Sequence, residues 1–216
     1  MKQIQHEYTV HLNTIDRIID TRWVFCRSTN VPCISPSTRS FLTDIINTYQ
    51  PKRILEIGSA YGYSLWYMWS LIRQWWWVIV WSERAYPNRA YINILLSLCI
   101  YYGLDNIHCL YQPFLQISPS ILASHAHSWF DMVFVDAQKS EYLLYVDYLY
   151  RHHLVSSKTL WVFDDVIMYQ EKVEWLITCL QTHDLDYQII PLEKNDWVLV
   201  AHTPGVYTIW SQSYNQ

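Results

Sequence analysis

The stretch Arg53-Ile-Leu-Glu-Ile-Gly-Ser-Ala-Tyr-Gly-Tyr-Ser64 decides the fold. Arg53–Ile57 is a short apolar run ending in glycine, which reads as a buried strand. Tyr63–Ile72 then reads as a helix, so a tight glycine-bearing turn joins strand to helix. The same alternation continues downstream. Val78–Trp81, Ile107–Tyr111, Met132–Val135 and Leu160–Phe163 read as further strands. Helices are expected over Ala90–Tyr102 (Gly103 as its stop), Tyr142–His152 and near Glu171–Thr182. Tyr187–Pro191 and Val198–Ala201 lie too close for another crossover and read as a hairpin.

Strands that are apolar throughout, separated by helices, imply a mostly parallel sheet covered on both faces. The expected fold is therefore α/β and Rossmann-like. It has a mostly parallel seven-stranded sheet, helices on both faces and a C-terminal antiparallel hairpin. A helical N-terminal segment over residues 1–50 should pack on a core domain over 51–205, with 206–216 as a tail.

Composition narrows the function classes. The 216 residues are 51% hydrophobic and 16% charged, which supports one sizeable core and excludes a disordered tail. A formal charge of -4 disfavours a globally basic nucleic-acid binder. Five scattered cysteines (Cys26, Cys33, Cys99, Cys109 and Cys179) form no CxxC pair, so reduced thiols in a cytoplasmic protein are expected. The N-terminus lacks a signal-peptide core, and the apolar stretch around Trp75–Trp81 is too short to span a bilayer; no membrane partner is expected. Glycine is scarce: four residues, against about fifteen at the usual ~7%. Tryptophan is abundant, with twelve residues, several where a turn favours glycine, as in Asn195-Asp196-Trp197. A codon read as glycine in the source organism and written here as tryptophan would produce this bias.

In an open α/β sheet, ligands bind beyond the carboxyl ends of the strands. Acids collect there: Glu56 on the first strand, Glu83 after the second, Asp136 after the fourth, and Asp164 with Asp165 after the fifth. Gly58 and Gly62 would allow close backbone approach to a ligand. The pattern Glu-x-Gly-x-x-x-Gly puts a carboxylate at the first glycine of a dinucleotide fingerprint, which disfavours a nicotinamide dehydrogenase and suits an amine-bearing ligand. Glu83 is placed to accept two ribose hydroxyls. Asp136, Asp164 and Asp165 on neighbouring strand ends would repel one another unless a cation sits among them. Oxygen ligands suit Mg²⁺ or another hard divalent ion. Lys139, beside such a cation, should have a lowered pKa and serve as a general base. His125, His127, His152 and His153 read as solvated histidines.

These motifs resemble class I S-adenosylmethionine-dependent methyltransferases, and within them the metal-dependent O-methyltransferases of the catechol and caffeoyl-CoA type. The resemblance runs from about Asn30 to His202. It rests on Asn30–Thr38, on Arg53–Ser64, on Phe130–Lys139 (FDMVFVDAQK), on Leu160–Val166 (LWVFDDV), and on the closing PLEKNDWVLVA. It implies S-adenosyl-L-methionine as cofactor, with Ile34, Glu56, Gly58 and Ser64 at its amino-acid end, Glu83 at the ribose, and Pro113 and Phe114 near the adenine. It implies Asp136, Asp164 and Asp165 as metal ligands, with Asp136 also near the cofactor, and Lys139 as catalytic base. Three positions depart from the family pattern. Gln112-Pro113-Phe114 stands where Gly-Asp-Ala is usual, Asp165 replaces a commoner Asn, and Ser157-Lys158-Thr159 replaces glycines before the fifth strand. The implied reaction is methyl transfer to a hydroxyl of a small catechol-like acceptor, and the Tyr- and Trp-rich helices offer an aromatic face that would suit a homodimer. The alternative acceptor is a tRNA wobble uridine, with Arg22, Arg27 and Arg39 as a local basic patch. A non-catalytic binding module is the other alternative, and the joint retention of Asp136, Lys139, Asp164 and Asp165 argues against it.

Overall fold

A computed structural model describes residues 33–58, 60, 62–72, 78–82, 107–110, 112–167, 169–182, 186–193 and 196–202. Glu83, the helix expected over Ala90–Tyr102, Arg22, Arg27 and the tail lie outside the described residues. Among the described residues, seven strands form one sheet: β1 (Arg53–Ile57), β2 (Val78–Ser82), β3 (Ile107–Leu110), β4 (Phe130–Val135), β5 (Val155–Phe163), β6 (Tyr187–Glu193) and β7 (Asp196–His202). Their spatial order is β3-β2-β1-β4-β5-β7-β6. The first five are parallel, and β7 pairs antiparallel with both β5 and β6. The order reverses between β1 and β4, and that is where an open parallel sheet leaves a crevice.

Alternating side chains divide the core into two layers. Leu55, Ile57, Val133, Val135, Trp161 and Phe163 pack with α3 (Pro119–Ala126), α4 (Tyr142–Arg151) and α5 (Gln170–Thr182). Ile54, Met132, Phe134, Leu160 and Val162 face the other way, against α1 (Pro36–Tyr49) and α2 (Tyr63–Ile72). Helices on both faces follow from strands that are apolar on both faces. The α3 helix has its own start signal, Pro119 at the first helical position after Ser118.

Two local devices set the heights of the strands. At the amino end, Arg53 forks onto Asp131 (Nη2–Oδ1 2.9 Å), whose other oxygen accepts the backbone N–H of Lys52 and Arg53. This holds β1 level with β4. Ser157, Lys158 and Thr159 lie within β5, where buried Thr159 donates its hydroxyl to the Phe130 carbonyl at 2.7 Å. A side-chain hydroxyl thus bridges the ladder where its register shifts between Phe130 and Met132.

Candidate functional site

The carboxyl ends of β1, β4 and β5 finish in step. The Asp136 N–H donates to the Ile57 carbonyl at 2.9 Å, and the Asp164 N–H donates to the Val135 carbonyl at 3.0 Å. The Tyr142 hydroxyl, buried beneath, lies 3.1 Å from the carbonyls of both Val135 and Asp164 and fastens the two strand ends together. Burial, with Lys139 opposing and Asp136 and Asp164 adding, keeps this phenol well above its ordinary pKa, so it remains a donor.

On β1, Glu56 is fully buried on the face shared with α2, and Ser64 at the start of α2 donates its hydroxyl to Glu56 Oε1. Gly58 has a φ of +81°, and a Cβ there would lie 2.3 Å from the Asp136 carbonyl oxygen and 2.7 Å from Ala137 Cα. The close approach that this glycine permits is therefore to the chain's own β4 loop. Ile34 is packed into the core beside α1 and α2. Phe114 is also a core residue, edge-on to Tyr145 and Tyr148 with centroids at 5.5 and 5.4 Å. Pro113, partly buried, precedes the short 3-10 turn that Phe114 opens.

The acidic residues form two adjoining groups. Lys139 Nζ sits 2.7 Å from Asp136 Oδ1 and 3.7 Å from Asp165 Oδ2, above the rings of Tyr142 and Tyr169. Asp164, Asp165 and Asp196 each present a carboxylate oxygen, and these three oxygens lie within 4.8 Å of one another. Asp196 is the member that sequence reasoning missed. The crevice was read from residues that follow strands, but β7 runs antiparallel, so its first residue reaches the carboxyl edge. The Val166 N–H donates to the Trp197 carbonyl at 3.2 Å and holds that start in place. Asp165 takes a left-handed backbone with φ of 58°. Asp and Asn adopt that region with less strain than most residues.

With no cation beside it, Lys139 is held as the ammonium: burial disfavours its charge, but Asp136 and Tyr142 together outweigh burial and raise its pKa. Asp164 is raised well above the usual carboxylate range, first by burial and then by Asp136 and Asp165. Asp165 is raised by burial, with Lys139 opposing and Asp136 and Asp196 adding. Among the described residues, the Lys139 ammonium faces Asp136, Asp164, Asp165 and Asp196 at the rim.

A family model described as O-methyltransferase matches residues 25–176. The chain belongs to the O-methyltransferase family. Among curated members, it is 33% identical over 116 residues to O-methyltransferase ankF of Aspergillus thermomutatus, covering 54% of this chain and 46% of that protein. It is 25% identical over 165 residues to O-methyltransferase hkm8 of Aspergillus hancockii, covering 73% and 61% respectively. The chain thus spans about half to three-fifths of these relatives' length. Among solved structures, the SAH-bound methyltransferase PaMTH1 of Podospora anserina superposes with a TM-score of 0.68 at 21% identity, covering 86% of this chain and 87% of that one. The O-methyltransferase TomG of Streptomyces achromogenes, in complex with SAM, gives 0.67 at 22% identity over 83% and 86%. At these identities the structural likeness establishes the Rossmann-like methyltransferase fold. Among the described residues, no helix is long and apolar enough to cross a membrane.

Proposed function

We propose that this chain transfers a methyl group from S-adenosyl-L-methionine to a hydroxyl oxygen of a small acceptor bearing two neighbouring oxygens, with a divalent cation at the acidic rim. The observation that carries this reading is the rim itself: three carboxylate oxygens within 4.8 Å beside a lysine–aspartate pair whose lysine is buried. The donor set fits a hard cation. It is all oxygen, and two of its members have pKa values raised by burial and by the neighbouring carboxylates.

In this reading Glu56, anchored by Ser64, faces the amino-acid end of the donor. Gly58 lets the β1 loop lie flat against Asp136. Ile34 closes that end, Glu83 takes the ribose, and Pro113 with Phe114 forms the adenine side. Asp164 and Asp165 would hold the cation with Asp196 beside them, and Asp136, which pairs with Lys139 outside that group of three, would complete the set. A bound cation would engage the Asp136 charge that now holds Lys139 protonated, and would lower the pKa of an acceptor hydroxyl. Lys139 Nζ in its neutral form is the atom that takes the hydroxyl proton. As the new O–C bond forms, the C–S bond breaks and the thioether leaves. Holding oxygen, methyl carbon and sulfur in line is the pocket's main contribution to rate.

Asp136→Ala and Lys139→Ala should each abolish transfer to a confirmed acceptor, while Lys139→Ala keeps its affinity for the donor by calorimetry. Undiminished turnover in both variants overturns the mechanism. A tRNA acceptor would instead show as label in bulk tRNA, with strongly salt-dependent binding.

A further inference from the structure

The hairpin and the start of α1 are far apart in sequence yet share one network. Ser35 is the N-cap of α1; its Oγ accepts the Thr38 N–H at 3.0 Å. The same hydroxyl donates to Asp196 Oδ2, and the Thr38 hydroxyl donates to that oxygen at 3.1 Å. Thr38 is buried, and Ile34, immediately before the cap, is buried as well. Asp196 also lies in the group of three acids with Asp164 and Asp165. A single carboxylate therefore touches both the acidic rim and the first turn of the helix that begins over it. A negative group at a helix N-terminus is favoured by the helix dipole as well as by its hydrogen bonds.

We propose that Asp196 is a positioning residue: it clasps the Ile34–Thr38 stretch to the rim and so fixes the wall of the donor pocket at its amino-acid end. The inference rests on the S-adenosylmethionine reading above and adds a residue to it. The clasp uses one oxygen as a double acceptor, so an amide can replace it. Asn keeps a carbonyl oxygen that accepts both hydroxyls, whereas Ala keeps none. The role therefore belongs to the hydrogen bonds and not to the ionic charge of Asp196.

The test compares Asp196→Asn, Asp196→Ala, Ser35→Ala and the double variant Ser35→Ala/Asp196→Ala. S-adenosylhomocysteine affinity is measured by calorimetry, KM for the donor is separated from kcat, and melting is followed without ligand. Asp196→Ala should weaken S-adenosylhomocysteine binding about tenfold, measured without added divalent cation, and raise the donor KM in parallel. Asp196→Asn should bind within about threefold of wild type. The double variant should bind no worse than Asp196→Ala alone, because both changes open the same clasp. Unchanged affinity in Asp196→Ala, an Asn variant as weak as the Ala variant, or additive losses in the double variant each overturn the clasp. A purely structural role would lower the melting temperature and leave the KM of the folded fraction unchanged, which also overturns it. Failure of the wild-type protein to bind S-adenosylhomocysteine overturns the donor reading, and this inference with it. Binding by wild type with Asp196→Ala unaffected overturns this inference alone.

Discussion

Replacing Gly58 by alanine probes the contact on which the crevice is built. Two costs add. The residue sits at φ +81°, where a Cβ costs about 1–2 kcal/mol. The added carbon would also lie 2.3 Å from the Asp136 carbonyl oxygen and 2.7 Å from Ala137 Cα. Both are main-chain atoms, so no side chain can swing aside. Ordinary contact needs roughly 3.5 Å, so the β4 loop must retreat by about 1 Å. That retreat strains the 2.9 Å hydrogen bond from the Asp136 N–H to the Ile57 carbonyl. Overpacking of this kind costs about 1–3 kcal/mol, for a total of about 2–5 kcal/mol. Urea unfolding followed by circular dichroism reads the loss directly. Because Asp136 moves with its backbone, turnover of the folded fraction should fall by about a hundredfold, the usual penalty for a 1 Å misplacement. A loss of stability below about 1 kcal/mol, with wild-type turnover, would refute the reasoning.

Further expectations concern the rim and the composition. Asp164 has a folded-state pKa raised above its unfolded value, so the folded state holds the proton more tightly. Apo stability should therefore fall as pH rises from about 4 through the folded pKa, and Asp164→Asn should flatten that fall. At pH 7.5, Mg²⁺ or Mn²⁺ should raise the melting temperature of wild type and leave Asp164→Asn unmoved; equal shifts in both would place the cation elsewhere. The scarcity of glycine predicts that protein isolated from its source organism is lighter than the written sequence by a whole number of Trp-to-Gly differences. Trp129 and Trp175 are exposed positions where that exchange removes no core packing, whereas Trp66 and Trp69 fill the core with indole N–H groups lacking a hydrogen-bond partner among the described residues. An intact mass equal to that of the written sequence refutes the recoding.

The parallel part of the sheet was legible because its strands are apolar on both faces, a pattern few other folds demand. Glu56 stood out for the opposite reason, being a carboxylate within such a strand, and it is buried against Ser64 as its neighbours require. The acids at Asp136, Asp164 and Asp165 were legible because parallel strands deliver their following residues to one edge. Asp196 was hidden by the reversed direction of β7, and only the pairing of Phe163 with Leu199 reveals which end of the hairpin reaches the rim. The charge state of Lys139 could not be read from spacing, since it depends on Asp136 Oδ1 standing 2.7 Å away under burial. The edge-on packing of the Phe114 ring against Tyr145 and Tyr148 is a tertiary arrangement that local sequence does not encode.

The most direct test incubates the full chain with methyl-labelled S-adenosylmethionine and a panel of vicinal diphenols, with Mg²⁺ present or removed by chelation. The account predicts label on a hydroxyl oxygen that disappears on chelation and returns when Mg²⁺ is restored. Methyl transfer that continues undiminished in the chelated sample would contradict it.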